Sequence, residues 1–347
     1  MSMRIALCTG QIPFAYGGAE ILVESLAAQL RQRGHEAEII RIPFRWYPKE
    51  EILKGYLAWR MINLEESEGQ RIDRVIALKF PGFVASHPNK VTWLVQQFRQ
   101  AYDLFGTEHS YLTNSTEDAE LLRTIKRIDR QTIGESRHIY TISNNVGKRL
   151  RQYNGLASET LYPPPAMDGR FSHRSYGDYI LSLCRLNRLK RVNHLIEVMA
   201  HTRTPVRCLV AGQGEEREAL QKLAERRRVA ERVEFLGRVS DEDALELYAN
   251  ALAVYYAPLD EDYGLATVEA MKSHKPVLTV NDSGGVLEFV RDNVTGYVLA
   301  PDDAPGMARR IDEMYQDRQL AERLGVAASQ QVAAITWDAV IEKLLQP

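Results

Sequence analysis

The chain is poor in cysteine, in net charge and in long apolar runs, and each shortage closes off a class of function. Its three cysteines, Cys8, Cys184 and Cys208, are odd in number and show no CxxC spacing, which argues against a disulfide framework and against zinc. All three lie in apolar runs that read as strands, so buried thiols are expected. With 44 basic against 46 acidic residues the formal charge is −2, and no global field draws the protein to nucleic acid. No stretch approaches the ~18 consecutive apolar residues of a membrane span. The start, MSMRIALCTG, runs into a strand pattern without a long apolar leader, so the expectation is a cytoplasmic protein. The GxGxxG of a dinucleotide fold and the Lys-Ser/Thr of a Walker loop are absent, as are short repeats and low-complexity tracts.

What is there is length and alternation. At 347 residues with 45% apolar content, the chain has material for two cores. Residues 4–9 read as a buried strand, a loop with Gly17-Gly18 follows, then a helix over about 19–32 stopped by Gly34, and a second strand over 37–42. This strand, helix, strand opening is the grammar of a doubly wound parallel sheet. Gly17-Gly18 lets backbone approach a ligand at a helix N-terminus, and equally suits a tight turn. Residues 48–68 are helical in pattern, with Tyr56, Trp59 and Met61 as a core-facing stripe. Short strands follow at 74–77 and 91–95, the second ending in Gln96-Gln97. Residues 117–151 are rich in Arg and Lys around a strand at 138–142, which suits a solvated helix face or contact with an anionic membrane surface.

Pro163-Pro164-Pro165 is a stiff connector and marks the expected domain boundary. Residues 1–165 form one domain and 166–330 a second, with a terminal segment, 331–347, returning to the first. The second half restarts the alternation: strands at 179–184, 206–211, 233–236, 252–256, 276–280 and 296–299, with helices at about 192–201, 217–227 and 241–250. The fold class is therefore α/β, with two Rossmann-like parallel-sheet domains facing across a cleft at the carboxyl edges of their strands.

Chemistry concentrates after those strands. PLDEDYGLATVEAM, residues 258–271, puts Glu261 in a loop, Gly264 at a turn, and Leu265, Ala266 and Thr267 in the first turn of a helix that carries Glu269. Unpaired N–H groups there make an anion site; an ordinary acidic N-cap is the plainer alternative. Arg185 and Lys190 follow the strand at 179–184 and suit a diphosphate. Gly212 and Gly214 open the turn after 206–211, while Val239 and a capping Asp241 follow 233–236.

In this order, GGAE at 17–20, RLNRLK at 185–190, VAGQGEE at 210–216, VEFLGRVSDEDALELYANA at 233–251, DEDYGLATVEAM at 260–271 and GGVLEFVRDNVTGYV at 284–298 resemble glycosyltransferase family 4, retaining enzymes of the GT-B fold. The likeness covers essentially the whole second domain and the first more loosely. It implies that Glu269 binds the ribose hydroxyls of a nucleotide sugar and that Glu261 lies near the transferred sugar. Arg185 and Lys190 would neutralise the diphosphate. Gly212, Gly214, Val239, Leu265, Ala266 and Thr267 would line the donor site, Val239 at the nucleobase. Gly17 and Gly18 would approach the phosphates or the acceptor. Where the family often has a histidine after the first-domain strand VTWLV, this chain has Gln96 and Gln97, which donate hydrogen bonds but do not become cations; His109 and His87 are the nearby substitutes.

The implied activity is transfer of a sugar, with retained configuration, from a UDP- or GDP-sugar to a glycan or lipid-linked acceptor. The setting is bacterial surface polysaccharide synthesis, at the inner face of the cell membrane and without a metal or other cofactor. Two alternatives share the fold: a non-hydrolysing sugar-nucleotide epimerase, and a sugar-nucleotide-binding subunit without turnover.

Overall fold

The computed structural model describes residues 2–14, 16–108 and 110–347. The chain divides into two compact units, 1–166 with 337–347, and 167–336.

The first unit runs β1 (Arg4–Gln11), α1 (Gly18–Gln32), β2 (Glu36–Pro43), α2 (Glu50–Met61), a small hairpin β3 (Glu66–Ser67) and β4 (Gln70–Arg71), then β5 (Arg74–Lys79), β6 (Lys90–Gln96), α3 (Thr116–Gly134), β7 (His138–Thr141), α4 (Asn144–Asn154) and β8 (Glu159–Thr160). Its six-stranded sheet has the order β2-β1-β5-β6-β7-β8, all parallel. Burial explains the sequence pattern. Every residue of β5 is buried and β1 is buried from Ile5 to Gly10, so central strands read as continuous apolar runs rather than alternating ones. The helical pattern at 48–68 stops at Met61, and the acidic stretch after it forms the exposed hairpin. The basic stretch at 117–151 holds two helices: α3 is capped by Ser115 and α4 by Ser143 through side-chain oxygens, which supply acceptors for first-turn N–H groups.

The second unit runs β9 (Tyr179–Leu183), α5 (Val192–His201), β10 (Arg207–Ala211), α6 (Arg217–Arg226), β11 (Val233–Gly237), α7 (Asp241–Asn250), β12 (Ala253–Tyr255), α8 (Leu265–Lys272), β13 (Val277–Val280), β14 (Gly296–Leu299), α9 (Ala304–Gln316) and α10 (Arg318–Val332). The last helix, α11 (Trp337–Leu344), belongs to the first unit. The order β11-β10-β9-β12-β13-β14 starts in the middle and winds outward both ways. The α/β class with two parallel sheets is as the sequence predicts. In each sheet the winding reverses between two neighbouring strands, β1 and β5 in the first, β9 and β12 in the second. Connections there leave to opposite faces and open a crevice at the carboxyl edge.

Cys8 and Cys208 are buried in β1 and β10, and Cys184, just past β9, is half-buried. Burial pushes the Cys8 and Cys208 thiols up to about 12 and Cys184 to about 11, which leaves all three as unreactive thiols.

The least expected part of the first core is a polar one. Asp129 of α3 is fully buried and accepts from Tyr56 Oη of α2 and from Tyr102 Oη at 2.6 Å. Asn154 Nδ2 donates to Tyr102 Oη at 3.2 Å, and Gln97 Nε2 donates to Asn154 Oδ1. Burial raises the Asp129 carboxyl to about 7, against the two phenol hydrogen bonds. Unfolded, the group loses its proton near the ordinary value of about 4. Between those values the folded state holds the extra proton, so the group's contribution to stability is present at low pH and lost as pH rises. The melting temperature of the wild type relative to Asp129→Asn, followed by circular dichroism, should therefore fall between about pH 4 and pH 7 and level off above.

Candidate functional site

The crevice of the second unit opens where β9 and β12 part, and the loops that leave them meet. After β9, Leu186 turns inward to the core, and residues 188–190 form a short turn whose Lys190 N–H donates to Asn187 Oδ1 at 3.2 Å. Arg191 follows in the left-handed region, φ 49°. Its guanidinium donates to Ala257 O at 2.9 Å, to Pro258 O at 2.6 Å and to both oxygens of Asp282 at 2.6 and 2.9 Å. One side chain thus ties the loops after β9, β12 and β13 together. Its hydrogen bonds make Arg191 a structural cation. Arg188 is the exposed one, reaching Glu216 at 3.4 Å.

With those loops fixed, Lys190 and Glu261 form an ion pair. Tyr256 completes the group: Lys190 Nζ donates to its hydroxyl at 2.8 Å, and the hydroxyl donates to Glu261 Oε2 at 3.1 Å. Burial and the Glu261 charge hold the Tyr256 phenol well above its ordinary pKa, so it stays a proton donor. Glu261 itself does not sit in a loose loop. It bridges to Gly284 in parallel fashion, with Gly285 N–H donating to Glu261 O at 2.8 Å. Arg185, also past β9, is exposed and makes no ion pair among the described residues.

Gly264 precedes α8 at φ 89°, a conformation glycine takes at little cost. A Cβ there would meet Val286 at 2.8 Å and the Tyr256 ring at 3.1 Å. No side chain caps α8, and the N–H groups of Leu265 and Ala266 have no acceptor among the described residues. The Thr267 side chain turns inward and is fully buried, its hydroxyl unpartnered, so what this turn offers a ligand is backbone N–H. Glu269, half-buried on the same helix, accepts from Tyr248 Oη at 2.8 Å. Burial raises its carboxyl, opposed by that phenol.

Gly212 and Gly214 have a packing reason. A Cβ would lie 1.9 Å from Cys184 O at the first and 2.0 Å from Leu186 O at the second. They let the turn after β10 press against the loop that carries Arg185 and Lys190, joined by Leu186 N–H to Gln213 O at 2.9 Å. Val239 is half-buried after β11, and the cap of α7 is Ser240, which accepts from Asp243 N–H at 3.1 Å, in place of the expected Asp241. The earlier residue wins because a capping side chain must stand just outside the first turn.

In the first unit Gly17 caps α1 in extended conformation, and a Cβ there would meet nothing nearer than Glu20 Oε2 at 3.8 Å. Packing does not require that glycine. Gly18 opens α1, and Glu20 in its first turn pairs with the nearly buried Lys79 at the end of β5. Gln96 ends β6 half-buried, whereas Gln97 is committed to the buried Asn154 network. His87 is occupied too, bonded at Nε2 to Ile72 O and at Nδ1 to Asn89 N–H. His109 lies outside the described residues. Sequence reasoning missed Tyr256, Tyr248 and Lys79; the only signal was an aromatic or a lysine at a strand or helix end.

Among the described residues no cluster of three or more His, Cys, Asp or Glu is placed to hold a metal ion, and no helix is long and apolar enough to cross a membrane.

Residues 169–331, nearly the whole second unit, match the family described as "Glycosyl transferases group 1". An uncharacterised glycosyltransferase of Methanocaldococcus jannaschii is 24% identical over 98% of this chain and 96% of its own. D-inositol 3-phosphate glycosyltransferase of Nocardia farcinica is 26% identical over 95% of this chain and 84% of its own. Among solved structures, Anabaena HepE in complex with UDP-glucose superposes with a TM-score of 0.72 at 17% identity, covering 99% of this chain and 98% of that one. The chain is a glycosyltransferase of the GT-B fold. The likeness of its motifs to family 4 agrees with this.

The glycosyltransferase depends on Arg191 for the geometry of its crevice. Arg191→Ala should cost about 1–3 kcal/mol and lower the melting temperature by several degrees. Arg188→Ala should leave it within about 1 °C; equal melting temperatures for the two variants would show that Arg191 ties nothing.

Proposed function

We propose that the second unit binds the diphosphate of a nucleoside-diphosphate sugar and that the enzyme transfers the sugar with retention of configuration. The observation that carries this reading is the Lys190–Tyr256–Glu261 group at the switch between β9 and β12, with Arg185 on the same loop as Lys190 and the uncapped start of α8 four residues after Glu261. A leaving diphosphate gains negative charge as the anomeric C–O bond breaks. Fixed positive potential at that spot lowers the barrier more than any other single contribution in such catalysis. Arg185 and the N–H groups of Leu265 and Ala266 supply it. Lys190 supplies it through a shared proton network, since its charge is partly balanced by Glu261 before the donor arrives. Glu269, held by Tyr248, accepts ribose hydroxyls. Glu261 lies by the reacting sugar, and Tyr256 keeps its carboxylate oriented. Val239 borders the nucleobase.

The HepE complexes with UDP and UDP-glucose support a nucleotide-sugar donor, UDP or GDP being the bases to test first. The acceptor proton passes to a donor phosphate oxygen, so no strong protein base is required. Because lysine, arginine and backbone N–H groups meet the developing charge, the reaction proceeds without a metal ion. A glycan or lipid-linked acceptor of a bacterial surface polysaccharide fits this reading, and the solved WaaG, involved in lipopolysaccharide biosynthesis, supports it by fold alone.

Calorimetry with UDP and GDP, joined to turnover with the matching sugars, tests the assignment. Arg185→Ala should weaken nucleotide binding by about tenfold to a hundredfold, the value of one charge-assisted contact. Lys190→Ala should lower turnover further than binding, because it also removes the cation that pairs with Glu261. Arg188→Ala should change neither; three variants that behave alike would remove the diphosphate site. Turnover should also survive EDTA, and activity lost in EDTA and restored by Mg²⁺ or Mn²⁺ would overturn metal independence.

A further inference from the structure

Just past the end of α8 opposite Gly264 lies a fully buried lysine, Lys275. Its Nζ donates to Ser175 O at 2.6 Å, meets His173 Nδ1 at 2.9 Å and stands 4.4 Å from the centre of the Tyr176 ring. Among the described residues it forms no ion pair, and burial pushes its ammonium down to about 7. Lys90, as deeply buried, differs: three carbonyls accept from it, and Glu135 lies 3.6 Å away. A buried ammonium without such compensation is costly, so the surroundings of Lys275 suit the neutral amine.

All three neighbours belong to one stretch, residues 168–177, which has neither helix nor strand and is fastened to both α7 and α8. Asp168 pairs with Lys272 of α8 at 2.7 Å, and Arg174 pairs with Glu246 of α7 at 2.7 Å. Tyr176 Oη donates at 2.9 Å to the carbonyl of His274, which follows α8. Packing from α10 is equally close there, since a Cβ on Gly325 would lie 2.1 Å from His274 O and 2.6 Å from Tyr176 Oη. Phe171 meets the Tyr248 ring edge to face at 6.1 Å. Tyr248 is the phenol that donates to Glu269, so the stretch touches the side chain that holds a candidate donor-site carboxylate.

We infer that residues 168–177 form a proton-sensitive strap that positions Glu269: closed over neutral Lys275 it braces Tyr248 through Phe171, and it opens as the freed lysine takes up a proton. The positioning rests on the reading of Glu269 as a nucleotide contact. Opened, Lys275 returns to water and to its ordinary value of 10.5. Between about 7 and 10.5 the open strap therefore holds one proton more than the closed one. Closure is favoured at high pH and weakens by up to about tenfold per unit as pH falls towards 7, where the slope ends. His173 is exposed; burial and the Lys275 and His274 charges lower its imidazole, opposed by Glu322 of α10. It adds a smaller step of the same sign below its ordinary 6.5. The other charges packed on the strap stand in opposite-sign pairs, Lys272 with Asp168, Arg174 with Glu246 and Arg170 with Glu242.

Hydrogen exchange read by mass spectrometry on the full chain, each rate divided by the intrinsic rate at that pH, measures the opening. From pH 9 down to pH 7, opening of peptides spanning 168–177 should rise by roughly tenfold to a hundredfold. Peptides from α7 and α8 should follow, and α9 should not. Lys275→Met should abolish the rise. Saturating UDP or GDP should slow the opening at each pH, because a ligand held by Glu269 favours the closed strap. A wild-type rise no larger in the strap than in α9, or one that persists in Lys275→Met, overturns the proposal. A rise confined to the strap, or a bound nucleotide that leaves the opening unchanged, overturns the positioning of Glu269. Should Lys275→Met not fold, the wild-type contrast between strap and α9 decides. Should neither nucleotide bind by calorimetry, the donor reading fails on that arm alone, and the pH slope still decides the strap.

Discussion

Arg191 is the constraint on which the candidate donor site depends. Its backbone takes the left-handed region so that α5 can begin one residue later, and its guanidinium then spans three loops. Two of its four bonds go to the backbone carbonyls of Ala257 and Pro258, and two go to Asp282. A planar fork of donors suits this task in a way lysine does not. Because the loops after β9, β12 and β13 are tied at one point, Lys190 reaches Glu261 and Tyr256 without a search. Preorganised groups give most where charge develops, since nothing must move at the moment of reaction.

The two glycine turns act in the same direction. At Gly212 and Gly214 the loop after β10 comes within a Cβ of the carbonyls of Cys184 and Leu186. These residues serve the site by setting the path of the chain that carries Arg185 and Lys190. At Gly264 the constraint is the Tyr256 ring and Val286, so the tyrosine that bonds Glu261 also limits what can start α8. Loop packing and candidate chemistry share residues throughout this edge.

The first unit is arranged otherwise. Its core contains Asp129 with two phenols, and Lys90, whose buried ammonium donates to the carbonyls of Phe83, Ala85 and Thr132. Satisfied polar networks of this kind specify a single packing. The Asp129 network ends in Gln97, so the residue beside Gln96 is locked. Gln96 is thereby the glutamine left at the rim.

Period and punctuation made much of this legible in the sequence. Buried strands such as VIALK and CLVA are near-continuous apolar runs bounded by glycine or charge, and they alternate with amphipathic stretches, which is enough to name two parallel sheets. The order of motifs after those strands also put Lys190 and Glu261 on one edge, because parallel strands place all their carboxyl ends together, and the two form an ion pair. Bonds between side chains distant in sequence were not legible. That Arg191 is structural while Arg188 is solvated, that Gln97 is buried while Gln96 is not, and that Tyr256 stands between Lys190 and Glu261 follow from loop geometry, which local propensity does not encode. Adjacent residues of the same type received opposite surroundings because successive side chains on a strand end or turn point in different directions, and only the packed tertiary structure determines which direction meets a partner.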